Sequence, residues 1–525
     1  LSTAAAWYRS RGKLARAQAL YAQAQALQGP KEELIDNPFG PAIAANPFVG
    51  QPGQRKASRL GDIALNEIPE PARVQAKSRT AATQAREADA FDEPVQLASR
   101  DEGAVQRRSS APVDEPDRAV INPDPRAAIE TELTRLAEQR SPQIKQGATI
   151  RGNNGESALS KITDIETPFE ISFPVGDDRM AVRVTPVSLN AGTVHQPSGG
   201  NLRFGTSALE LGDGSIGTQK DAGIGLGVAY EMPALGLKTD LGSTPFGFRY
   251  TNVVGGISLD RPFTENGNLR YNLSLSRRAV NDSLLSFAGA RDARSEVEWG
   301  GVTANGLRGQ ISFDNQRFGT YAYAGWAKLL GHNVENNARA ELGSGIYWYL
   351  FNDDDARLTG GLSLSAMHYD NNQSFFTYGH GGYFSPQNFF SIGVPFSWAQ
   401  RGADWSYQIQ SSLGVQHIEQ DGAPYLRNRG RQAALEQLAS SGATINGAPV
   451  NTHYVDQNKT GIGYSLGATG EYRLGNGFFF GGALGVDNAR DYRQFTGGLY
   501  LRYLFEDGGG AMPLPVNPYR SPYSN

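Results

Sequence analysis

From Thr460 to Asp487 the chain alternates between two kinds of side chain for longer than a helix would tolerate. Ile462, Tyr464, Leu466, Ala468, Gly470, Tyr472 and Leu474 fall on one side, and Gly461, Gly463, Ser465, Gly467, Thr469, Glu471 and Arg473 on the other. A period of two belongs to a strand, whose successive side chains point to opposite faces. Tyr464 and Tyr472 share the apolar face and stand about 27 Å apart at roughly 3.4 Å per residue. Tilted as in a barrel, that span fits a membrane's apolar band, about 25 Å tall, with an aromatic ring near each surface. The strand stops at Gly475-Asn476, and Phe478, Phe480, Leu484 and Val486 continue on the return. A soluble β-sandwich hairpin has a similar apolar face, so repetition along the chain must separate the two.

Hydropathy alone misses such a strand. The 525 residues contain nothing like the run of roughly 18 apolar residues that crosses a membrane as a helix, but alternating barrel strands never produce one. The absence of Cys excludes disulfide scaffolds and thiolate zinc sites. A net charge of -4 leaves no basic footprint for nucleic acid. Leu1 is not an initiator Met and no cleavable leader pattern follows it, so the chain is expected to be a piece of a longer one.

In chain order, residues 1–30 carry a helical pattern that breaks at Gly12. Leu1, Ala5 and Tyr8, then Ala17, Tyr21 and Ala24, place small and aromatic residues where a tetratricopeptide repeat needs them. Residues 31–122 change to an Ala/Pro/Arg/Glu/Gln/Ser composition with no period, expected to be a disordered linker, with Asn-Pro-Phe at 37–39 and 46–48. Residues 123–166 hold a short helix, capped by Asp124 and Pro125, and a lead-in. Strand patterns then fill 167–505. Sixteen are expected, beginning near Phe169, Ala181, Asn201, Ala222, Leu235, Gly247, Leu269, Gly301, Thr320, Asn336, Arg357, Asn388, Asp404, Thr460, Gly477 and Phe495. In the second half the connections alternate: Asn281 to Trp299, Asp370 to Gln387 and Glu419 to Lys459 are long, while those after Asn315, Asn352, Gln400 and Gly475 are short. Barrels of outer membranes alternate in this way and sandwiches have no reason to. The fold class expected is therefore mainly β: a 16-stranded antiparallel transmembrane β-barrel preceded by a short α-helical, tetratricopeptide-like segment and linker. Residues 506–525 form a Pro/Gly-rich tail that cannot be a strand.

Three loop sequences carry a family resemblance. They are Asp282-Ser283-Leu284-Leu285 with Gly289, Arg291 and Asp292, then Trp299-Gly300-Gly301-Val302 with Asn305-Gly306, and the run from Gly379-His380-Gly381-Gly382-Tyr383 through Phe384-Ser385-Pro386-Gln387. With these motifs the second half resembles the C-terminal barrel domain of the cellulose synthase export component, the outer-membrane channel of bacterial cellulose secretion. The resemblance implies a sixteen-stranded barrel in the bacterial outer membrane, a tetratricopeptide array in the periplasm, a β-glucan such as cellulose as the polymer carried, and partners among outer-membrane lipid and the periplasmic components of the cellulose synthase complex. It implies no cofactor.

Side-chain chemistry points the same way. Six His are scattered without metal-ligand spacing, and His380 near Ser385 and Asp370 does not make a triad by proximity alone. Asp353-Asp354-Asp355 reads as a solvated charge cluster, and no enzyme activity is expected. A neutral glucan asks for hydrogen-bonding groups and aromatic platforms without a deep binding minimum. The face bearing Ser406, Gln408, Gln410, Ser412 and Gln416 supplies the former, although any wet lumen would look similar. Trp299, Tyr378, Tyr383 and Phe384, with His380, Gln387, Arg291 and Asp292, are the candidates at the mouth, and packing within the loops explains the aromatics equally well. In the tail, Tyr519, Arg520 and Tyr523 between prolines suit a polar wall near the periplasmic entrance. Two other readings stand beside cellulose export: an exporter of another polysaccharide such as poly-N-acetylglucosamine, and a surface-binding or adhesion barrel that passes nothing.

Overall fold

The structure, a computed structural model, describes residues 1–27, scattered positions from 129 to 140, and 141–523 with gaps at 194–199, 211–214, 265–266, 446–447, 489–492 and 507–508. The expected linker, its Asn-Pro-Phe sequences and the cap at Asp124-Pro125 lie outside the described residues.

Sixteen antiparallel strands close into one barrel. They are β1 (Gln143–Asn153), β2 (Thr163–Glu166 and Phe169–Val175, either side of Pro168), β3 (Asp178–Gly192), β4 (Gln219–Met232), β5 (Leu237–Ser243), β6 (Val253–Pro262), β7 (Leu269–Ala279) and β8 (Glu298–Asp314). β9 (Phe318–His332), β10 (Asn337–Asn352), β11 (Ala356–Tyr369), β12 (Asn388–Arg401), β13 (Trp405–Gln420), β14 (Gln457–Gly475), β15 (Phe478–Asp487) and β16 (Gln494–Leu504) complete it. Closure runs the length of β1, from Gln143 opposite Leu504 to Asn153 opposite Gln494.

The wall follows from alternation. On β14 the face expected to be apolar points outward, with Ile462, Leu466, Tyr472 and Leu474 exposed, while Glu471 is buried inside. Outward-facing aromatics crowd the end where the turns are short: Phe263 lies edge-on to Tyr271, Phe351 stacks on Trp398, Trp405 on Tyr407, and Phe478 and Phe505 flank Tyr503. Inward-facing ions are paired, Arg183 with Glu170, Arg278 with Asp240 and Arg502 with Glu471. Tyrosines lie flat over glycines of the neighbouring strand: a Cβ on Gly343 would come 2.3 Å from the Tyr323 ring, and one on Gly481 the same distance from Tyr500. An apolar exterior around a polar interior is the arrangement a lipid-facing barrel requires.

Two strand expectations need correction. Among the described residues no barrel strand begins near Asn201. Gly200–Arg203 is a 3-10 turn, and Phe204–Gly205 pairs only with Phe376–Thr377 above the wall. The barrel also starts before residue 167, at Gln143. Pro168 breaks β2 but leaves its carbonyl to accept the Gly147 amide at 2.8 Å, so the ladder passes the break.

The short turns 176–177, 233–236, 263–268, 315–317, 353–355, 402–404 and 476–477 all lie at one end. The long connections 193–218, 280–297, 370–387 and 421–456 leave the other. Against the short-turn rim sits a helix pair, α1 (Ser2–Ser10) and α2 (Leu14–Leu27), burying Ala5, Ala17, Tyr21 and Ala24 with Ile129 and Leu136. The turn between them needs Gly12, whose φ is +68° and where a Cβ would lie 2.5 Å from the Ala234 backbone. The Ala15 amide donates to Asp177 Oδ1 at 2.7 Å, fixing the pair to a second rim turn.

Candidate functional site: a plugged mouth and a threaded lumen

The long connections fold together across the barrel mouth. Ser283 caps α3 (Leu284–Phe287) through a reciprocal pair of bonds with Ser286, and every residue of this short helix is buried. Around it gather Val187, Leu189, Phe204, Ile216, Phe248 and Trp299, residues from separate connections and strand ends that make one apolar plug. Trp299 is fully buried, edge-on to Phe204 at 5.1 Å and to Tyr378 at 5.9 Å. Asp292 and Arg294 form an ion pair at 2.8 Å with neither side chain exposed. Asp292 Oδ2 also accepts the Thr206 amide at 3.1 Å, and Arg294 Nη2 donates to the Phe204 carbonyl at 2.7 Å. Segment 204–207 is thereby fastened to 280–297. Gly205 must be glycine, with φ +56° and Asp292 Oδ2 2.0 Å from where a Cβ would stand. Arg291 is turned out to solvent and pairs with Glu296 at 2.8 Å.

The run 379–387 is wrapped inside the plug. Tyr383 is buried, its hydroxyl accepting from Asn337 Nδ2 at 3.2 Å. Half-buried Phe384 donates its amide to Asp282 Oδ2 at 2.9 Å and meets Phe389 edge-on. Gln387 bonds the Ser385 carbonyl and receives the Asp421 amide. Tyr378 hands its amide to the Gly205 carbonyl at 2.8 Å, and Arg431 lies 5.2 Å over its ring. His380 is fully buried, with Nε2 2.9 Å from the Pro424 carbonyl. Burial first, then the nearby Arg427 charge, lowers its pKa to about 3. The ring is thus neutral, and Nε2 carries the proton it donates to Pro424. That bond fastens 370–387 to 421–456, whose helix α4 (Arg429–Ser440) buries Leu435 against Tyr425 and Leu426.

Below the plug, Gln408 Nε2 donates to Ser397 Oγ at 2.9 Å and Gln416 Nε2 to the Asn488 carbonyl at 3.2 Å. Gln410 Nε2 has no hydrogen-bond partner among the described residues, which leaves a donor directed inside the barrel. Tyr347 and Tyr349 both donate to Asp314 Oδ2, at 2.7 and 2.6 Å. The polar lining is therefore mostly occupied by its own bonds.

The tail enters from the short-turn end and climbs. The Gly510 amide donates to Glu138 at 2.7 Å, Arg401 Nη1 to the Met512 carbonyl at 3.0 Å, and Ser406 Oγ to the Pro513 carbonyl. Higher up, Tyr519 lies between Lys145 Nζ, 5.3 Å from its ring centre, and the Arg183 guanidinium at 5.7 Å. Half-buried Arg520 follows. Tyr523 then reaches the plug, its ring 5.3 Å from Phe287, its hydroxyl donating to the Ser243 carbonyl and its carbonyl accepting from Asn281 Nδ2. The sequence suggests a wall near the entrance for these residues; Tyr523 lies instead at the far end, against Phe287 and Asn281.

The family described as "Cellulose synthase operon protein C C-terminus" matches residues 160–506, which covers every barrel strand except β1. The chain belongs to this family. Cellulose synthase operon protein C of Pseudomonas fluorescens (strain SBW25) is 46% identical over 100% of this chain and 38% of its own length. The protein of that name from Salmonella typhimurium is 29% identical over 88% of this chain and 40% of its own. The chain thus spans well under half the length of either relative. Among solved structures, a bacterial polysaccharide outer membrane secretin aligns with 70% of this chain and 99% of its own at 12% identity, with a TM-score of 0.43.

In this member of the cellulose synthase operon protein C family, the structure gathers Trp299, Tyr378, His380, Tyr383, Phe384, Gln387 and Asp292 at one plug and leaves Arg291 at its surface. Gln408, Gln410 and Gln416 line the wall of β13 beneath. Sequence reasoning missed Arg294, which completes the buried pair, and Phe204 and Phe287, which fill the plug. Arg294, two residues from Asp292 in a connection otherwise poor in order signals, could have been paired with it by proximity. The two phenylalanines carried no signal, because plug packing has no period.

Proposed function

We propose that this chain is the membrane-embedded part of an exporter, a barrel in the bacterial outer membrane that conducts a secreted β-glucan, cellulose or a modified cellulose, from the periplasm outward. The supporting observation is one closed barrel with an apolar exterior and a polar, amide- and tyrosine-bearing interior, in a chain belonging to a family named for the cellulose synthase operon. Its paired inward ions leave no wall of a single charge, which suits a neutral polymer better than an acidic one. The role is that of a conduit, with no catalytic step assigned. The helix pair at the short-turn rim lies in the periplasm and faces the components that deliver the polymer. Because plug and tail both occupy the lumen, passage requires them to yield, and Gln410 and the aromatics of the mouth are the groups an advancing glucan meets as they do.

Secretion of glucan by cells lacking this protein tests the reading: restored export on complementation is expected, and undiminished export in its absence overturns it. In lipid bilayers, deleting Gly510–Asn525 from the assembled barrel is expected to raise conductance. A chain that passes neither ions nor glucan after that deletion is an adhesin-like barrel. Single cysteines at exposed Asn476 and Gly442 are expected to label from opposite sides of the membrane.

A further inference from the structure

The outer wall carries a polar site that export does not use. On β7, Leu273 and Leu275 face outward, and the next residue on that face is Arg277. On β8 the outward residue in register with Arg277 is Asn305, and on β9 the residue opposite Asn305 is Lys328. One step lower, Leu275, Leu307 and Trp326 form the adjacent row. At a barrel strand's tilt, Lys328 stands roughly 25 Å above Phe318 of the short-turn end, the height of a membrane's apolar band. An exposed Trp with cations just beyond it marks the transition from acyl chains to headgroups.

The two cations differ from the inward arginines. Arg183, Arg278, Arg339 and Arg502 each meet a carboxylate, whereas among the described residues neither Arg277 nor Lys328 does. Arg277 is nevertheless held in place: its Nε donates to the Val253 carbonyl and its Nη1 to Asn305 Oδ1, both at 2.8 Å. Asn305 in turn donates to the Lys328 carbonyl at 3.1 Å. Two of the guanidinium's three nitrogens are thus oriented along the wall and the third, Nη2, is left for an outside acceptor. Lys328 lies two strands away, about 10 Å across the sheet, so both side chains can converge on one anion. Beside Lys328, Ala338 on β10 leaves the wall low.

We propose that Arg277, Asn305 and Lys328 bind the phosphate of a phosphorylated lipid headgroup in the leaflet at the plugged end of the barrel. The inference rests on the membrane placement proposed above. The remaining guanidinium nitrogen and an ammonium at headgroup depth match the charge of a phosphate monoester, and the Trp326 row matches its acyl chains.

The test uses the full chain in phosphatidylcholine nanodiscs doped with a bis-phosphorylated glycolipid, or with the same lipid dephosphorylated, and reads retained glycolipid by native mass spectrometry. Retention of the phosphorylated form alone is expected. The double variant Arg277→Gln, Lys328→Gln should retain roughly thirtyfold less, the scale expected of two cations at an anionic lipid surface. Lys220→Gln, elsewhere on the wall, should retain as much as the parent. Heat-modifiable migration on gels checks that each barrel has inserted, so a failure of membrane placement shows there first. Should the double variant misassemble, Lys328→Gln alone is read against the parent in the same way. Equal retention by an inserted variant, or binding of free inorganic phosphate as tight as the lipid's, overturns the proposal.

Discussion

The two ends of this barrel are finished by opposite means. At one end, turns such as 176–177 and 476–477 reverse the chain at once, and the rim is an outward ring of aromatics. At the other, most of the described irregular residues fold together across the mouth, where a hidden ion pair, a neutral imidazole and interlocked rings help to hold the plug. The wall is held by ladder bonds along every strand, whereas the plug joins short backbone pairings, such as Phe204–Gly205 with Phe376–Thr377, to side-chain contacts. A ladder has no low-energy alternative, because each unpaired amide in lipid costs several kcal/mol. The plug has no such continuous ladder to lose. The difference places rigidity where the membrane demands it and adjustability where a polymer would have to pass.

The sharpest way to break that comparison is Asp292→Ala. It leaves the Arg294 guanidinium buried with no countercharge, a loss of about 3–5 kcal/mol for a pair of this kind. Hydrogen exchange is expected to show 204–207 and 280–297 losing protection while β8 to β14 keep theirs, with conductance rising. Strands and plug opening together would mean that the two ends form one cooperative unit.

The converse change belongs in the wall. Gly343→Val drives a side chain into the Tyr323 ring, which lies 2.3 Å from the position of the added Cβ. Overpacking of this order costs about 1–3 kcal/mol. The barrel's heat-modifiable transition should fall in temperature, and exchange in 280–297 should change only as much as the whole barrel does. Loosening confined to the plug would show that wall packing reaches the mouth.

How much of this was legible follows the same division. β14 was plain because Ile462 to Leu474 alternate without interruption. β1 was hidden because its outward face offers only Ile144 and Ile150 as large apolar residues, while its inward Lys145 and Arg151 look like surface until Glu170 and Asp164 are placed beside them. Leu202 and Phe204 mimicked a strand that their neighbours do not continue. In the site, the aromatics and His380 were found by residue type, but their burial was not, since inward folding of a loop leaves no period. Tyr519 and Tyr523 were recognised as wall-seeking. Their ascent to Phe287 was not, because an extended proline-rich segment does not encode what it will touch.

The smallest expected effect is also the one that separates the ends by pH. His380 has a pKa of about 3 in the docked plug, against about 6.5 for a free imidazole. Above pH 6.5 both forms are neutral and the imidazole contributes no pH dependence. Below it, an undocked loop takes up a proton that the docked loop refuses, so docking weakens by about 1.4 kcal/mol per pH unit until the docked ring itself titrates near 3. Moving from pH 7.5 to 5.5 should therefore loosen 370–387 from 421–456 by roughly one such unit and raise the barrel's open probability in a planar bilayer. The strands should keep their heat-modifiable transition over the same range. His380→Gln retains a donor for the Pro424 carbonyl and cannot titrate, so its opening should be nearly flat from pH 7.5 to 5.5. A parent barrel whose opening is equally flat would remove His380 from the forces that hold the plug. A Gln variant as steep as the parent would assign the pH response to another group.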